Sequence, residues 1–79
     1  MNALNEYNRI FRETFGVSED ALNEDFTFNG VAVWDSVAHM SLISSLEDAF
    51  DVMFDVDDIL HYGSYFHGIE ILKHYGVEF

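Results

Sequence analysis

The segment Trp34-Asp35-Ser36-Val37-Ala38-His39-Met40 contains the residues whose types and spacing are most suggestive of chemistry. A serine hydroxyl can be esterified, and a histidine three positions later on a helix is close enough to act on it as a base. If a helix begins at Ser36, its unpaired backbone N–H groups and its dipole favour a phosphate joined to that hydroxyl. The segment therefore suits a phosphodiester on Ser36. The spacing alone is better explained by plain helix capping through Asp35 or Ser36.

Helices are predicted on both sides of this segment. Apolar residues at helical spacing predict helix one over residues 3–15, ended by Gly16, and helix two from Ser36 to Phe50, capped by Asp35. The apolar stripe of helix two comprises Val37, Met40, Leu42, Ile43, Leu46, Ala49, Phe50 and Met53. A short acidic helix over 55–60 and a last helix, capped by Ser64 and ended by Gly76, complete the pattern. The sequence predicts one all-α domain over residues 1–79, a small antiparallel four-helix bundle with three principal helices and one short one.

Between helix one and helix two, residues 16–35 lose the helical period but remain apolar. We expect a long packed loop that Phe26 and Phe28 anchor to the core, with a turn at Asn29-Gly30. The alternative is a two-stranded hairpin around Asn29-Gly30, because the flanking residues have strand character. Two isolated strands are marginally stable, so the loop is the favoured interpretation.

Composition narrows the classes of function. The chain has 79 residues, no Cys, 15 acidic residues against 3 basic ones and a net charge of −12. A domain this small has shallow clefts, so we expect no enzymatic activity of its own. The negative charge disfavours nucleic acid and anionic lipid and favours basic protein surfaces. The lack of Cys and of an apolar run of ~20 residues predicts a cytoplasmic protein without a membrane span.

From helix one to the last helix, the sequence resembles the acyl carrier proteins. Asp35-Ser36-Val37 is similar to their Asp-Ser-Leu attachment motif, with Val37 in place of the usual Leu. Leu42-Ile43, Leu46-Glu47-Asp48 and Phe50 follow at matching spacing. The resemblance implies that Ser36 carries 4′-phosphopantetheine from coenzyme A, and that the protein delivers acyl thioesters to separate enzymes. With Trp34 and His39 on either side of this motif, the sequence resembles stand-alone bacterial carriers of specialised acyl groups.

The resemblance also implies roles for other residues. Asp35 and Val37 would position a phosphopantetheinyl transferase. The expected partner enzymes have basic surfaces and are acyl-activating, acyltransferase or ketosynthase-type enzymes of fatty-acid, polyketide or related biosynthesis. The residues expected to contact them are Trp34, His39, Met40, Glu47, Asp48 and Asp51. Candidates for lining an acyl pocket are Phe28, Leu46, Phe50, Ile59 and Leu72, although ordinary core packing is the favoured explanation for most of them. We expect a monomer that acts outside a megasynthase, because Met1 and Phe79 lie just beyond the first and last helices.

Two alternative catalytic or metal-binding interpretations fail on their motifs. A hydrolase built on Ser36 and His39 lacks the Gly-x-Ser-x-Gly elbow. A calcium loop starting at Asp51 would need Gly and Glu at its sixth and twelfth positions, where the chain has Val56 and Tyr62. The remaining histidines have no metal-ligand spacing, so we predict no metal site. A small acidic adaptor that binds a basic groove without any prosthetic group remains the alternative function.

Overall fold

The helices begin and end where capping residues occur in the sequence. The computed structural model describes residues 2–79, with α1 at Ala3–Phe15, α2 at Ser36–Phe50, α3 at Val56–His61 and α4 at Tyr65–His74. The Asp35 carboxylate accepts from Ala38 N at 2.8 Å, and Ser64 Oγ accepts from His67 N at 2.9 Å. Gly16 ends α1 in the left-handed conformation with φ 67°. These three predicted caps are confirmed, whereas Met1 lies outside the described residues.

The described residues form a compact, mostly helical domain without a β-strand, so the all-α prediction is confirmed for them. The loop between α1 and α2 contains a 3₁₀ helix at Glu19–Ala21 that the sequence analysis did not predict. The alternative hairpin does not form. Instead the loop bonds to the chain ahead of α4: Phe28 N donates to Gly63 O at 2.9 Å, and Tyr65 N donates to Phe26 O at 3.0 Å.

The two loop phenylalanines have different environments. Phe26 is buried with 2% of its surface exposed, as predicted, whereas Phe28 is 40% exposed. The prediction that Phe28 anchors the loop in the core is therefore wrong. A turn begins at Thr27, whose carbonyl accepts from Gly30 N at 3.1 Å, and this turn carries Phe28 to the surface.

The core is built mainly from aromatic rings around Phe11 in α1. Its ring centroid lies 4.8 Å from Tyr7, 5.3 Å from Tyr65 and 5.8 Å from Trp34. α1 packs against α2, and the residues that α2 buries are Leu42, Ile43 and Leu46. The predicted stripe of α2 is thus too broad, since Val37, Met40, Ala49 and Met53 are exposed. The buried stripe of a helix covers one side, and Val37 lies on the opposite side.

A buried hydrogen-bond network of tyrosines joins α1 to α4 and to the segment between α3 and α4. Tyr7 Oη donates to Tyr65 O at 2.7 Å and lies 2.7 Å from Tyr62 Oη. Because Tyr7 uses its one proton on the carbonyl, Tyr62 donates to Tyr7. Tyr65 Oη donates to the buried Asn8 side chain. Gly68 in α4 faces the Tyr7 and Tyr62 hydroxyls, so a Cβ there would overlap them.

Gly68→Ala should lower the free energy of unfolding by about 1–3 kcal/mol, because the two phenol oxygens have no room to move without breaking their bonds. In an open helix the same change would stabilise by about 1 kcal/mol. Urea denaturation measures the difference. Gly63→Ala is the control, since the nearest atom would lie 3.8 Å from its Cβ, and we expect a change within about 0.5 kcal/mol. A stabilised Gly68→Ala protein would contradict the packing described here.

Alkaline pH should destabilise the protein through the tyrosine network. Burial raises the pKa of Tyr7 well above its usual value, with Tyr62 adding to the shift, and burial also raises the pKa of Tyr62. Unfolded tyrosines lose their protons near pH 10, whereas these two retain theirs in the folded state. The unfolded state therefore binds fewer protons above about pH 10, and stability falls as the pH rises.

In Tyr62→Phe the loss of stability per pH unit above about pH 10 should be smaller than in the parent by up to about 1.4 kcal/mol, the contribution of one proton. Urea midpoints between about pH 8 and pH 11 measure this slope. An equal slope in parent and variant would show that Tyr62 ionises as freely in the folded state as in the unfolded one.

Candidate functional site

Ser36 is the exposed first residue of α2. The Asp35 side chain caps the helix through Ala38 N, and the Asp35 carbonyl accepts from His39 N at 2.8 Å. Of the two capping candidates in the sequence, Asp35 is therefore the one used. The Ser36 hydroxyl is left at the helix N-terminus, where backbone N–H groups and the helix dipole favour an anion.

A cleft of about 410 Å³ lies beside Ser36. The loop contributes Thr27, Phe28 and Asn29, α2 contributes Ser36, His39 and Met40, and α3 with the following residues contributes Ile59, Leu60, His61, Tyr62 and Gly63. Phe28, Met40 and Leu60 are exposed apolar side chains on its walls. The cleft thus places the exposed Ser36 hydroxyl next to an apolar surface that is open to solvent.

The five candidate pocket residues do not come together. Phe28 and Ile59 line the cleft. Leu46 and Leu72 have no exposed surface and are part of the core. Phe50 is half-buried, and its ring centroid lies 6.3 Å from that of Phe79 near the C-terminus. For Leu46 and Leu72, ordinary core packing rather than an acyl pocket is therefore the correct explanation in this structure.

Trp34 and His39 form a hydrogen-bonded pair beneath the cleft. Trp34 is 2% exposed, so the structure buries a residue that the sequence analysis names as a partner contact. Its Nε1–H donates to His39 Nδ1 at 3.0 Å, and His39 Nε2 lies 2.8 Å from Ile59 O. Both ring nitrogens of His39 are thus occupied, and neither is free to act as a base on Ser36. A buried indole N–H needs an acceptor, but the burial of Trp34 is visible only in the structure, so the sequence carried no signal of this pair.

The three predicted acidic contacts have different roles in the structure. The half-buried Glu47 accepts from Phe54 N at 3.0 Å, so its carboxylate holds the chain that follows α2. Asp48 is exposed. Asp51 is exposed and ends α2 in the left-handed conformation with φ 55°. Asp48 and Asp51 are therefore the acids at the end of α2 that are free to meet a partner.

α2 and α3 each expose two apolar side chains, of which Met40 and Leu60 line the cleft. Val37 and Met40 lie three residues apart on α2, and Val56 and Leu60 lie four residues apart on α3. Their exposed fractions are 81%, 56%, 69% and 72% respectively. Spacings of three and four bring side chains together on one face of a helix. A group of exposed apolar residues beside a cleft is typical of an interaction surface.

Two other kinds of site, a metal centre and a membrane-spanning helix, are absent from residues 2–79. In this part of the chain no group of three or more His, Asp or Glu residues is arranged to hold a metal ion. No helix of residues 2–79 has the length and apolar character needed to cross a membrane. Comparisons with protein-family models, curated proteins and solved structures gave no match to this chain.

Replacing Asp35 tests its capping role. Asp35→Ala should lower the free energy of unfolding by about 1 kcal/mol, because Ala38 N loses its acceptor. Asp35→Ser should retain most of the stability, since a serine hydroxyl at the same position can accept this bond. Urea denaturation of the two variants measures the difference. Equal stability of Asp35→Ala and the parent would exclude the cap as a significant contribution.

Proposed function

We propose that this chain is an acyl carrier protein with 4′-phosphopantetheine attached to Ser36. The observation that carries the proposal is the exposed Ser36 hydroxyl at the start of α2, next to an open apolar cleft. When bound, the group would supply a thiol that holds acyl groups as thioesters. The protein would deliver these groups to separate enzymes of fatty-acid, polyketide or related biosynthesis and would catalyse no reaction itself.

The residues around Ser36 fit the proposed group. The helix N-terminus favours the phosphate through its dipole and backbone N–H groups. The apolar side chains of Phe28, Met40 and Leu60 offer a surface for the uncharged part of the arm and the first carbons of an acyl chain. A cleft of about 410 Å³ lies in the range of small-molecule sites.

The proposal includes the arrangement of helices expected of a carrier, an antiparallel bundle of three principal helices and one short helix. The packing of α1 against α2 and the sharing of one core by α1, α2 and α4 support it. The resemblance at Trp34 and His39 supports a stand-alone carrier of a specialised acyl group. We propose that it acts as a monomer in the cytoplasm.

The proposed partners are a phosphopantetheinyl transferase and acyl-activating, acyltransferase or ketosynthase-type enzymes with basic surfaces. The net charge of −12 supports this choice, because it draws basic surfaces towards the chain. Two of the basic residues are already paired on their own helices, Arg9 with Glu6 and Glu13, and Lys73 with Glu70. Val37 and Met40 would add apolar contacts beside Ser36, and Asp35 and Val37 would meet the transferase.

The second candidate function is an acidic adaptor that binds a basic partner without a prosthetic group. The same exposed apolar surface and negative charge favour it. It gives Ser36 no chemical role. Covalent modification of Ser36 therefore separates the two functions.

Incubation with coenzyme A and a broad-specificity phosphopantetheinyl transferase should add one phosphopantetheine group to the parent protein, as measured by intact-protein mass. Ser36→Ala should gain none, because its hydroxyl is the proposed attachment point. Ser44→Ala is the matched control, since Ser44 is an exposed serine on the same helix, and it should be modified like the parent.

Two outcomes would contradict this prediction. The absence of an adduct on folded parent protein with more than one transferase would favour the adaptor. An adduct on Ser36→Ala would move the attachment point to another residue.

A further inference from the structure

α3 has little burial of its own and is bonded at both ends through polar groups. None of its six residues is buried. At its start, Tyr75 Oη accepts from Asp55 N at 2.8 Å and donates to the Asp58 carboxylate at 2.5 Å. This donation raises the pKa of the Tyr75 phenol. At its end, the carbonyl of Ile59 bonds to the imidazole of His39 at 2.8 Å. A helix with so little burial has low local stability, so the two end bonds contribute to its position, together with the partly buried Ile59 and the buried Phe54 and Tyr62 on either side of it.

The bonds of His39 require one protonation state. An indole N–H can only donate, so His39 Nδ1 must be unprotonated to accept from Trp34. A carbonyl oxygen can only accept, so His39 Nε2 must be protonated to bond with Ile59. The neutral Nε2–H tautomer satisfies both partners. A positively charged imidazole would set two N–H donors against each other and lose the bond to Trp34.

The charged and titratable groups around His39 have other bonds. They are Asp35 before α2, Asp58 and His61 in α3, and Tyr62 after it. Asp35 bonds to Ala38 N and Asp58 to Tyr75. His61 Nδ1 lies 2.8 Å from Asp57 O within α3, and Tyr62 bonds to Tyr7. The ring of His39 instead lies among aromatic rings, with centroid distances of 6.0 Å to Phe28, 6.1 Å to Trp34 and 6.3 Å to Tyr62.

We infer that neutral His39 is a positioning residue that holds the end of α3 against the buried Trp34, and that its protonation breaks the bond to Trp34, so that the imidazole moves together with the end of α3 bonded to it and changes the width of the cleft beside Ser36. His39 and Ile59 both line the cleft, so the bond between them joins its two walls. The holding role is independent of what Ser36 carries. The further conclusion that His39 controls the access of an acyl group to the cleft rests on the proposed function.

The first test is the tautomer of His39 in the unmodified protein. Nitrogen-15 spectra near pH 8 should show a protonated Nε2 and an unprotonated Nδ1 for His39. His61 serves as an internal comparison, because its Nδ1 faces a carbonyl and should be protonated. A protonated Nδ1 on His39 under these conditions would overturn the inference.

The second test is hydrogen exchange of the α3 amides. His39→Phe keeps an aromatic ring but removes both bonds, so these amides should exchange about tenfold faster than in the parent. His67→Phe makes the same substitution at an exposed histidine of α4 and should leave α3 unchanged. Slow exchange in α1 shows that a variant is folded. Exchange of α3 within about twofold of the parent in folded His39→Phe would overturn the inference.

The third test uses the parent protein and needs no stable variant at position 39. When the pH is lowered until nitrogen-15 spectra show that His39 has gained a proton, the indole N–H signal of Trp34 and the amide signals of α3 should shift together with the signals of His39. Constant signals of Trp34 and α3 while His39 becomes protonated would overturn the inference. All three tests use unmodified protein, so a failure to modify Ser36 leaves their results intact.

Discussion

The buried indole of Trp34 is the constraint on which the site depends. An indole N–H inside a protein must find an acceptor, and here the acceptor is His39 Nδ1 at 3.0 Å. The same ring packs against Phe11 and Phe15, so it ties the end of the loop to α1. Because Trp34 is two residues before Ser36, fixing the indole also fixes where α2 begins and where the serine is exposed.

The rest of the domain shows how a short chain without Cys or Pro builds a stable core. Aromatic residues bury a large area each, which compensates for the small number of core positions. Tyrosines bring hydroxyls into this core: those of Tyr7 and Tyr62 bond to each other, Tyr7 also donates to the Tyr65 carbonyl, and the Tyr65 hydroxyl donates to Asn8. The network fixes Tyr62, which also lines the cleft. The core and the candidate site therefore share residues.

The surface around Ser36 combines exposed apolar side chains with exposed acids. Val37, Met40 and Leu60 expose apolar side chains next to the cleft, while Asp48 and Asp51 lie further along α2 and at its end. Acidic groups attract a basic partner over a distance and are sensitive to salt. Apolar groups stabilise a complex only where the two surfaces are in contact. A carrier recognised by several enzymes and an adaptor that binds one partner would both use such a surface. Only covalent modification of Ser36 therefore distinguishes the two functions.

The sequence by itself determined the features that depend on neighbours within a few residues. The caps formed by Asp35 and Ser64 and the left-handed Gly16 were predicted and are confirmed, because each is a local bond or backbone conformation. The positions of the four helices follow from these signals. The exposed place of Ser36 at the start of α2 follows from them as well.

Tertiary structure alone decided which side chains form the cleft. Phe28 is exposed and Trp34 is buried, and neither outcome follows from hydropathy or spacing. The bond between His39 and Ile59 joins residues twenty positions apart, and it exists because α3 lies against α2. Leu46, on the same helix as His39, belongs to the core rather than the cleft. Burial depends on which distant segments meet, and that information is held in the packing of the whole chain rather than in any local pattern.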